Sequence, residues 1–470
     1  MMELARYIPP RRARLRRFKD RLTTVCITAG GVGVLLAILL IFFFLLHEVA
    51  PLFGATRVAA PVSLAWPAPV PAYLSVEEQG EVGLTVTPAG EALFFRVVDG
   101  ATIERHNLAA GHAAVTALSS ADGGRLLALG HADGEVTLSR HGYRLDYIGD
   151  QRVVVPSMSA PYPGLQLRPG AAAIQALAVN DDVHGLLVVA EVAGQGLRAL
   201  RYSRNENLLT GEVALEREAL TLPALAGTTA ALYIGADQRW LYRLNREGVY
   251  TVLDLQQTDG DGVQQIATTG PLFEGGGKLA ASALLLGDIS LLAASDRGEL
   301  VQYFMVRDRD GARFQRVRDF DTGGAVPWQL LSEHQRKGFA ALGGRGELQL
   351  YHSTAGRHLY SGFDGLLPGG RAALSPRGDL LLYIGPDRQL STRTIHNEHP
   401  EVSWLALWDK LWYESYDRPE HIWQSSGANS DYEPKYSLAP LVFGTLKAAF
   451  YTMLLASPLA VCGAIYTGYF

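Results

Sequence analysis

Two long apolar runs, one near each end of the chain, constrain its fold more than any other feature. The first extends from Leu22 to Leu46, where 25 successive residues carry no formal charge. A helix of that length measures about 37 Å and can cross the roughly 30 Å hydrocarbon core of a bilayer with some tilt. A cleaved signal peptide is the alternative, but its apolar core spans only about 7–15 residues. We therefore expect residues 22–46 to form an uncleaved transmembrane helix.

The flanks of this run predict its orientation. Residues 1–21 form a basic head with eight Lys or Arg against two acidic residues, whereas His47 and Glu48 follow the run. The positive-inside rule places such an N-terminus in the cytoplasm and the chain after the helix on the other side of the membrane. The remaining chain is mildly acidic, which argues against a nucleic-acid partner. The two cysteines, Cys26 and Cys462, lie inside the apolar runs, so neither a Cys-based metal site nor a disulfide framework is expected.

The second apolar run begins near Leu438 and reaches Phe470, and its final 23 residues carry no charge. Lys447, near its start, can extend its amine to the membrane interface. A chain that leaves the cytoplasm through the first helix would re-enter the membrane here. No polar flank follows Phe470, so we expect the sequence to be cut within a membrane domain of which residues 438–470 are the incomplete start.

Between the two runs we expect a connector and one large β domain outside the cytoplasm. Residues 47–72 are predicted as a stiff, extended connector because they are rich in proline. Residues 73–400 show short apolar runs separated by turn residues, with little helical periodicity. The clearest strand-like runs are Leu84–Thr87, Leu126–Leu129, Leu186–Val189, Leu284–Leu286 and Leu380–Tyr383. This pattern is typical of a mainly β fold.

A repeat within residues 73–400 predicts the architecture. A turn with a Gly-Glu pair, followed by an apolar strand, occurs at Gly90, Gly134, Gly298 and Gly346, with a looser copy near Gly385. Most copies are 40 to 50 residues apart, and the long interval after Gly134 fits three or four units. Such a period indicates a WD40-like β-propeller with one four-stranded blade per repeat, here about seven blades. The alternative is an array of β-sandwiches or two unrelated β domains.

Residues 401–437 differ in composition because they hold four of the seven tryptophans. Trp404, Trp408 and Trp412 are spaced i, i+4 and i+8, which places them on one face of a helix, and Trp423 follows. An aromatic stripe of this kind usually packs into a core. Next to a membrane span it is equally typical of an interfacial helix, since indole prefers the headgroup level. The sequence supports both interpretations equally.

We find no pattern that predicts catalysis. The glycine-rich stretch Gly275–Lys278 lacks the leading Gly and the Ser or Thr of a phosphate-binding loop, so we expect no ATP hydrolysis by this chain. Two groups of residues could suggest metal or ion binding, but solvated side chains are the favoured interpretation for both. They are His396, Glu398 and His399, and the acidic turns with Asp181, Asp182, Asp259 and Asp261. We therefore predict a non-enzyme without cofactor or metal.

The C-terminal part of the sequence resembles a known family. The matching residues are Val402–Trp404, Trp408, Trp412–Glu414, Pro419–Glu420, Trp423–Ser426, Glu433–Leu438, Pro440–Lys447, Pro458–Ala460 and Gly463–Thr467. Over about 65 residues this text is similar to the permease subunits of bacterial phosphate ABC importers, in particular the large PstC-type form with an extracytoplasmic domain. The basic head and first span agree with that family in layout only.

The resemblance implies the N-terminal part of a multi-pass protein of the bacterial inner membrane, with its large domain in the periplasm. Its partners would be the lipid bilayer, a second permease subunit, ATPase subunits that hydrolyse ATP, and a periplasmic phosphate-binding protein that the propeller would meet. Further spans, the Glu-Ala-Ala loop that docks on the ATPase and the substrate-binding residues are expected beyond Phe470. The alternative is a membrane-anchored periplasmic propeller that acts as an envelope scaffold or sensor.

Overall fold

The computed structural model describes residues 10–206, 213–308, 311–414, 416–425, 427 and 433–469. Residues 1–9 of the basic head, Ser426 and Phe470 therefore lie outside the described part. The chain divides into two compact units, Met1–Gly54 and Ala55–Phe470.

The first unit is dominated by one long helix. Helix α1 (Pro10–Val49) continues without a break from the basic head through the apolar run, and a single 3₁₀ turn, Ala50–Phe53, follows it. Its described side chains, from Phe18 onward, are all exposed. A helix that is apolar on every side is suited to a lipid environment rather than to water. By length and composition, the segment Phe18–Phe53 could cross a membrane.

Most of the second unit consists of short strands, which form seven antiparallel sheets and one further sheet of only two strands among the described residues. Two strands precede the first complete sheet: β1 (Arg57–Val58) and β2 (Val62–Ala65). Sheet 1 contains β3 (Tyr73–Val76), β4 (Val82–Val86), β5 (Glu91–Arg96) and β6 (Thr102–Asn107), and sheet 2 contains β7 (Val115–Ala121), β8 (Leu126–His131), β9 (Val136–Ile148) and β10 (Gln151–Ser159). Sheet 3 contains β11 (Ile174–Asp181), β12 (Gly185–Val192), β13 (Gly196–Glu206) and β14 (Val213–Leu220), and sheet 4 contains β15 (Thr229–Ile234), β16 (Trp240–Asn245), β17 (Val249–Thr258) and β18 (Gln264–Pro271).

The remaining strands complete the series. Sheet 5 contains β19 (Leu279–Leu284), β20 (Ser290–Ser295), β21 (Leu300–Asp308) and β22 (Gly311–Phe320), and sheet 6 contains β23 (Pro327–Ser332), β24 (Gly338–Gly343), β25 (Glu347–His352) and β26 (Arg357–Phe363). Sheet 7 contains β27 (Arg371–Leu374), β28 (Leu380–Ile384) and β29 (Gln389–His396). After the sheets come α2 (Trp404–Trp408), β30 (Trp423–Gln424), β31 (Lys435–Tyr436) and α3 (Ala439–Tyr469).

These sheets are the blades of a seven-bladed β-propeller. In each of the first six, the strands pair in sequence order, and we name them A to D. The A strands contact one another around the ring, for example β7 with β11 and β19 with β23, so they line the central axis. Each B strand lies inside its blade and is covered on both faces by the adjacent blades. The B strands β8, β20 and β24 are buried along their whole length. Burial on both faces explains their continuous apolar runs. The predicted fold class and blade number are confirmed.

The ring is closed by residues that the sequence assigned to the connector. Strand β2 pairs with β29 from Val62 opposite Thr392, and β1 pairs with its end, with Arg57 opposite His396. Together β1 and β2 form the outer strand of blade 7. Proline is tolerated there because an outer strand has one unpaired edge, and Pro61 falls between the two short strands. The propeller therefore begins near Arg57 rather than at residue 73.

The Gly-Glu repeat marks the turn between strands B and C. Gly90, Gly134, Gly298 and Gly346 have φ between 84° and 95°, a left-handed conformation that glycine adopts without strain. A Cβ at Gly134 would stand 2.3 Å from the backbone oxygen of Gly170 in the following connection. Blades 3 and 4 use turns without this pair, which is why the interval after Gly134 spans three blades.

Candidate functional site: the strap and the face that it covers

The turns of the blades define two faces of the propeller. The A–B face carries the A–B and C–D turns, and the B–C face carries the B–C turns and the connections between blades. Within a blade, hydrogen bonds join the A–B turn to the C–D turn. In blade 6, Ser353 N donates to Lys337 O at 2.9 Å, and in blade 1, Val97 N donates to Glu81 O at 2.9 Å.

The chain enters and leaves the propeller on the A–B face. The pairing of Arg57 with His396 brings the first strand beside the end of the last one. Just beyond that pair, Thr56 Oγ1 donates to Asn397 Oδ1 at 3.0 Å. The carbonyl of Asn397 accepts from Arg336 Nη1 at 2.7 Å, and Arg336 belongs to the A–B turn of blade 6. Both connections to the apolar helices of the sequence therefore start from one face.

Residues 401–438, which we call the strap, carry the chain from blade 7 to α3. Ser403 Oγ accepts from Ala406 N at 3.0 Å and caps the one-turn helix α2. The end of the strap folds back onto α2, where Leu438 N donates to Leu407 O at 2.8 Å. Leu438, the residue directly before α3, is thus fixed to α2 by a backbone hydrogen bond.

Apolar contacts seat the strap on blades 5 and 6. Ala355, in the C–D turn of blade 6, is buried together with Ala406, Leu411 and Tyr413 of the strap. The ring of Trp412 meets Phe304 of β21 edge to face, with centroids 6.0 Å apart. Contacts of this kind favour one fixed position of the strap over a freely moving linker.

A buried ion pair connects the strap to two A–B turns. Lys337, in the turn of blade 6, is only 4% exposed, and its Nζ donates to Glu414 of the strap. The same ammonium donates to the carbonyl of Leu286 in the turn of blade 5. The Glu414 side chain is 11% exposed. Two buried charges that satisfy each other are costly to separate, because either one alone would remain unpaired in a low-dielectric site.

An arginine of β22 makes the second polar connection. Arg318 Nη2 donates to the carbonyl of Trp412, and its Nη1 donates to Gln302 Oε1 at 3.1 Å. Gln302 Oε1 also accepts from Ser353 Oγ at 2.7 Å. Burial lowers the pKa of Arg318, although Glu433 and Glu414 nearby oppose this shift. Arg357 Nη1 adds a bond to the carbonyl of Val402 at 2.8 Å.

One strap carboxyl titrates near neutral pH. Burial raises the pKa of Glu433 to about 7, and the neighbouring Glu414 carboxylate adds to the rise. A hydrogen bond from Thr354 and the charges of Lys337 and Arg318 lower it in part. The strap therefore contains a group whose charge depends on pH where it meets the propeller.

Comparison with known proteins gives matches among the solved structures. No family model and no curated protein matches the chain. The solved β-propeller domain of Cps50 (Swd1) from Myceliophteria thermophila is similar, with 13% identity and a TM-score of 0.47. That match covers 72% of this chain and 99% of the other. The pairing of the strands in this chain is what defines its propeller, and the match says nothing about what the chain binds.

Three tryptophans of the strap are exposed, and the fourth packs against the propeller. Helix α2 covers only Trp404 and Trp408, and both are exposed, as is Trp423. Trp412 lies beyond the end of this helix and packs against Phe304. The i, i+4, i+8 spacing therefore does not produce one continuous helical stripe, because the chain turns away at Asp409 to reach blades 5 and 6.

The other sequence patterns are brought into no common site. Gly275–Lys278 lies in the connection between β18 and β19, where Gly275 O accepts from Arg297. His396 ends β29, and His399 Nδ1 lies 3.5 Å from Glu401. Asp259 caps its own turn by accepting from Asp261 N at 2.9 Å. Among the described residues, no group of three or more His, Cys, Asp or Glu could hold a metal ion.

Asp181 differs from its predicted solvated state. Its side chain is almost fully buried at the edge of a cleft of about 530 Å³ between blades 2 and 3. The carboxylate accepts from Arg140 at 2.7 Å, from Arg204 at 2.7 Å and from the Tyr162 hydroxyl at 2.6 Å. Arg140 also bonds Asp122. The arginines of this cleft are thus already paired, which disfavours an anion site there.

The sequence alone could not predict which residues hold the strap on the propeller. Lys337 and Arg318 are 77 and 94 residues away from the strap residues that they bond. No motif in the sequence marks them. The only available signal was the scarcity of lysine, since Lys337 is one of six in the chain.

Proposed function

We propose that this chain is a membrane subunit whose propeller is fixed to the membrane domain, and that it is the N-terminal part of a PstC-type permease subunit of a phosphate ABC importer. The observation that carries the proposal is the docked strap. The residues that resemble the permease family lie in the strap and α3, and Lys337 and Arg318 hold that same strap on the propeller.

A docked strap suits a transporter subunit better than a flexible tether would. In an ATP-driven importer, hydrolysis in the ATPase partners moves the membrane helices between two arrangements. Because Leu438 is bonded to Leu407, and α2 is packed on blade 6, a displacement of the N-terminal end of α3 is transmitted to the propeller. The propeller would then move with the transport cycle, or hold α3 in place during it.

The B–C face is the candidate contact for the periplasmic phosphate-binding protein. Both chain connections leave from the opposite face, so this face points away from them. It exposes an apolar pair at the end of blade 6, Phe363 (76% exposed) and Leu367. We expect Phe363→Ser to weaken capture of the binding protein by the full subunit. Val62→Ser, at an exposed site on the outer strand of blade 7, is the matched control, and equal capture by both variants would refute this contact.

Purification of the tagged gene product from native membranes in mild detergent tests the proposal. We expect a second permease chain and an ATPase to co-purify with it. We also expect the gene beyond the codon for Phe470 to encode further apolar spans and a Glu-Ala-Ala loop. A stop codon there, together with purification free of any ATPase, would overturn the importer and favour the scaffold or sensor.

A further inference from the structure

We propose that the A–B face of the propeller rests on the lipid bilayer, with the apolar tips of its turns inserted at the boundary between headgroups and acyl chains. The inference rests on the membrane attachment in the proposed function but not on phosphate transport. It assigns a lipid-binding surface to residues that belong to neither apolar helix.

Large apolar side chains are exposed at the tips of several turns on this face. Val183, 82% exposed, stands in the A–B turn of blade 3, and Val98, 76% exposed, stands in the C–D turn of blade 1. Tyr147, 67% exposed, and Leu145 lie near the end of the hairpin formed by β9 and β10. Single exposed apolar residues are common on proteins, but here they share the face from which the chain continues to its apolar helices.

The hairpin of blade 2 is built to extend over this face. Strand β9 has 13 residues, and it passes the start of β8, where Arg140 pairs with Leu126, by eight more residues. Arg152 on the return strand donates to Gln79 and to Glu81 in the A–B turn of blade 1. The extension is therefore braced against a neighbouring blade while its tip remains exposed.

Exposed tryptophans mark the other side of the same face. The strap covers turns of blades 5 and 6, and it leaves Trp404, Trp408 and Trp423 exposed. Indole rings prefer the interface between headgroups and hydrocarbon, where the apolar ring and the polar N–H are both accommodated. Because Leu438 N donates to Leu407 O, the start of α3, a helix that could cross the membrane, lies beside the helix α2 that carries Trp404 and Trp408. Apolar tips on blades 1 to 3 and tryptophans beside blades 5 and 6 would thus contact one surface.

Several charges on this face are paired with each other. Asp181 is bonded by Arg140 and Arg204, Arg144 lies 3.2 Å from Asp146, and Arg152 bonds Glu81. A surface of this kind does not require anionic lipid. We therefore expect contact with neutral phosphatidylcholine and little change with salt, unlike a polybasic surface. A protein partner that covers the same tips is the competing outcome.

Depth-dependent quenching in nanodiscs tests the proposal on the full chain. In a Cys26→Ala, Cys462→Ala background, a single cysteine is placed at Tyr147, Val183 or Phe363 and labelled with an environment-sensitive dye. The bilayer is phosphatidylcholine that carries a quencher on its acyl chains. We expect labels at 147 and 183 to lose most of their fluorescence, and the label at 363, on the B–C face, to keep it.

Each outcome has a definite meaning. Equal fluorescence at 147, 183 and 363 in a chain that has entered the nanodisc would overturn the lipid surface while leaving the membrane attachment intact. Quenching at 363 alone would reverse the assigned face. Failure of the chain to enter nanodiscs would instead refute the membrane attachment in the proposed function. Two further chains test the apolar contact: Tyr147→Asp with the label at 183, and Val183→Asp with the label at 147. If the label is still quenched in both chains, the tips do not insert by apolar contact.

Discussion

Removal of the Lys337 ammonium should release the strap from the propeller. Lys337→Met keeps the length of the side chain and its apolar stem but leaves Glu414, whose side chain is 11% exposed, without its cation. Loss of one partner of a buried ion pair costs about 3–5 kcal/mol, because the remaining charge is buried and unpaired. The carbonyl of Leu286 also loses its donor. We expect most of this cost to appear as undocking, since the blades themselves keep their contacts.

Limited proteolysis with chymotrypsin measures this undocking in the detergent-solubilised chain. Cleavage after Tyr413 is the one to follow, because Tyr413 is buried in the docked strap, whereas Trp404, Trp408 and Trp423 are already exposed. When opening is fast relative to cleavage, the rate follows the open population, and 3 kcal/mol corresponds to about a hundredfold increase. Lys410→Met, at an exposed lysine of the same strap, is the matched control and should change the rate little.

A second variant separates the charge effect from a packing effect. In Lys337→Met with Glu414→Gln, the buried negative charge is removed as well, so we expect protection to recover in large part. If Lys337→Met is cleaved no faster than Lys410→Met, the ion pair does not hold the strap, and the proposed coupling between propeller and α3 is refuted.

Three further predictions concern the strap and the ring. Because docking raises the pKa of Glu433 from 4.5 to about 7, the docked state binds the proton more tightly than the open state. Docking should therefore be strongest below about pH 4.5. It should weaken by up to about 3 kcal/mol as the pH rises to 7 and then level off. Glu433→Gln should flatten this profile in the same proteolysis assay, and an unchanged profile would contradict the assignment. Trp66→Ala should lower propeller stability by about 3–5 kcal/mol, since Trp66 is buried against Phe95 beside the closing strand, whereas exposed Trp408→Ala should have almost no effect in thermal unfolding. Gly134→Ala should destabilise the propeller by at least about 1 kcal/mol more than Gly149→Ala. Both glycines have left-handed backbone conformations, but only at Gly134 would the new Cβ meet a backbone oxygen. Equal melting temperatures of the two variants would count against the B–C turn geometry.

The blade number could be predicted because its signal is local. Each Gly-Glu pair is a turn that needs a left-handed residue between two strands, so Gly134 and Gly298 mark single blades without knowledge of the rest of the ring. The apolar runs mark B strands for a similar reason, since burial on both faces excludes polar residues. Blades 3 and 4 were recognised only by interval, because their turns use other residues.

The closing strand and the strap contacts could not be predicted, because both depend on pairing over long distances. Val62 opposes Thr392, 330 residues later, and the prolines around it suggested a connector. Lys337 and Glu414 are ordinary charged residues until the fold brings them together in a buried position. The boundary of the strap at residue 401 was visible from its tryptophans, but its partners on the propeller were not.

Phosphate uptake tests the central claim most directly. Cells that lack the gene are compared with cells that carry it in full, and ATP-dependent uptake of radiolabelled phosphate is measured beside uptake of sulfate. A permease subunit with a docked propeller predicts that phosphate uptake is lost with the gene and restored by it, that the Lys337→Met variant restores it only in part, and that sulfate uptake is unchanged. Equal phosphate uptake with and without the gene would contradict the proposed function.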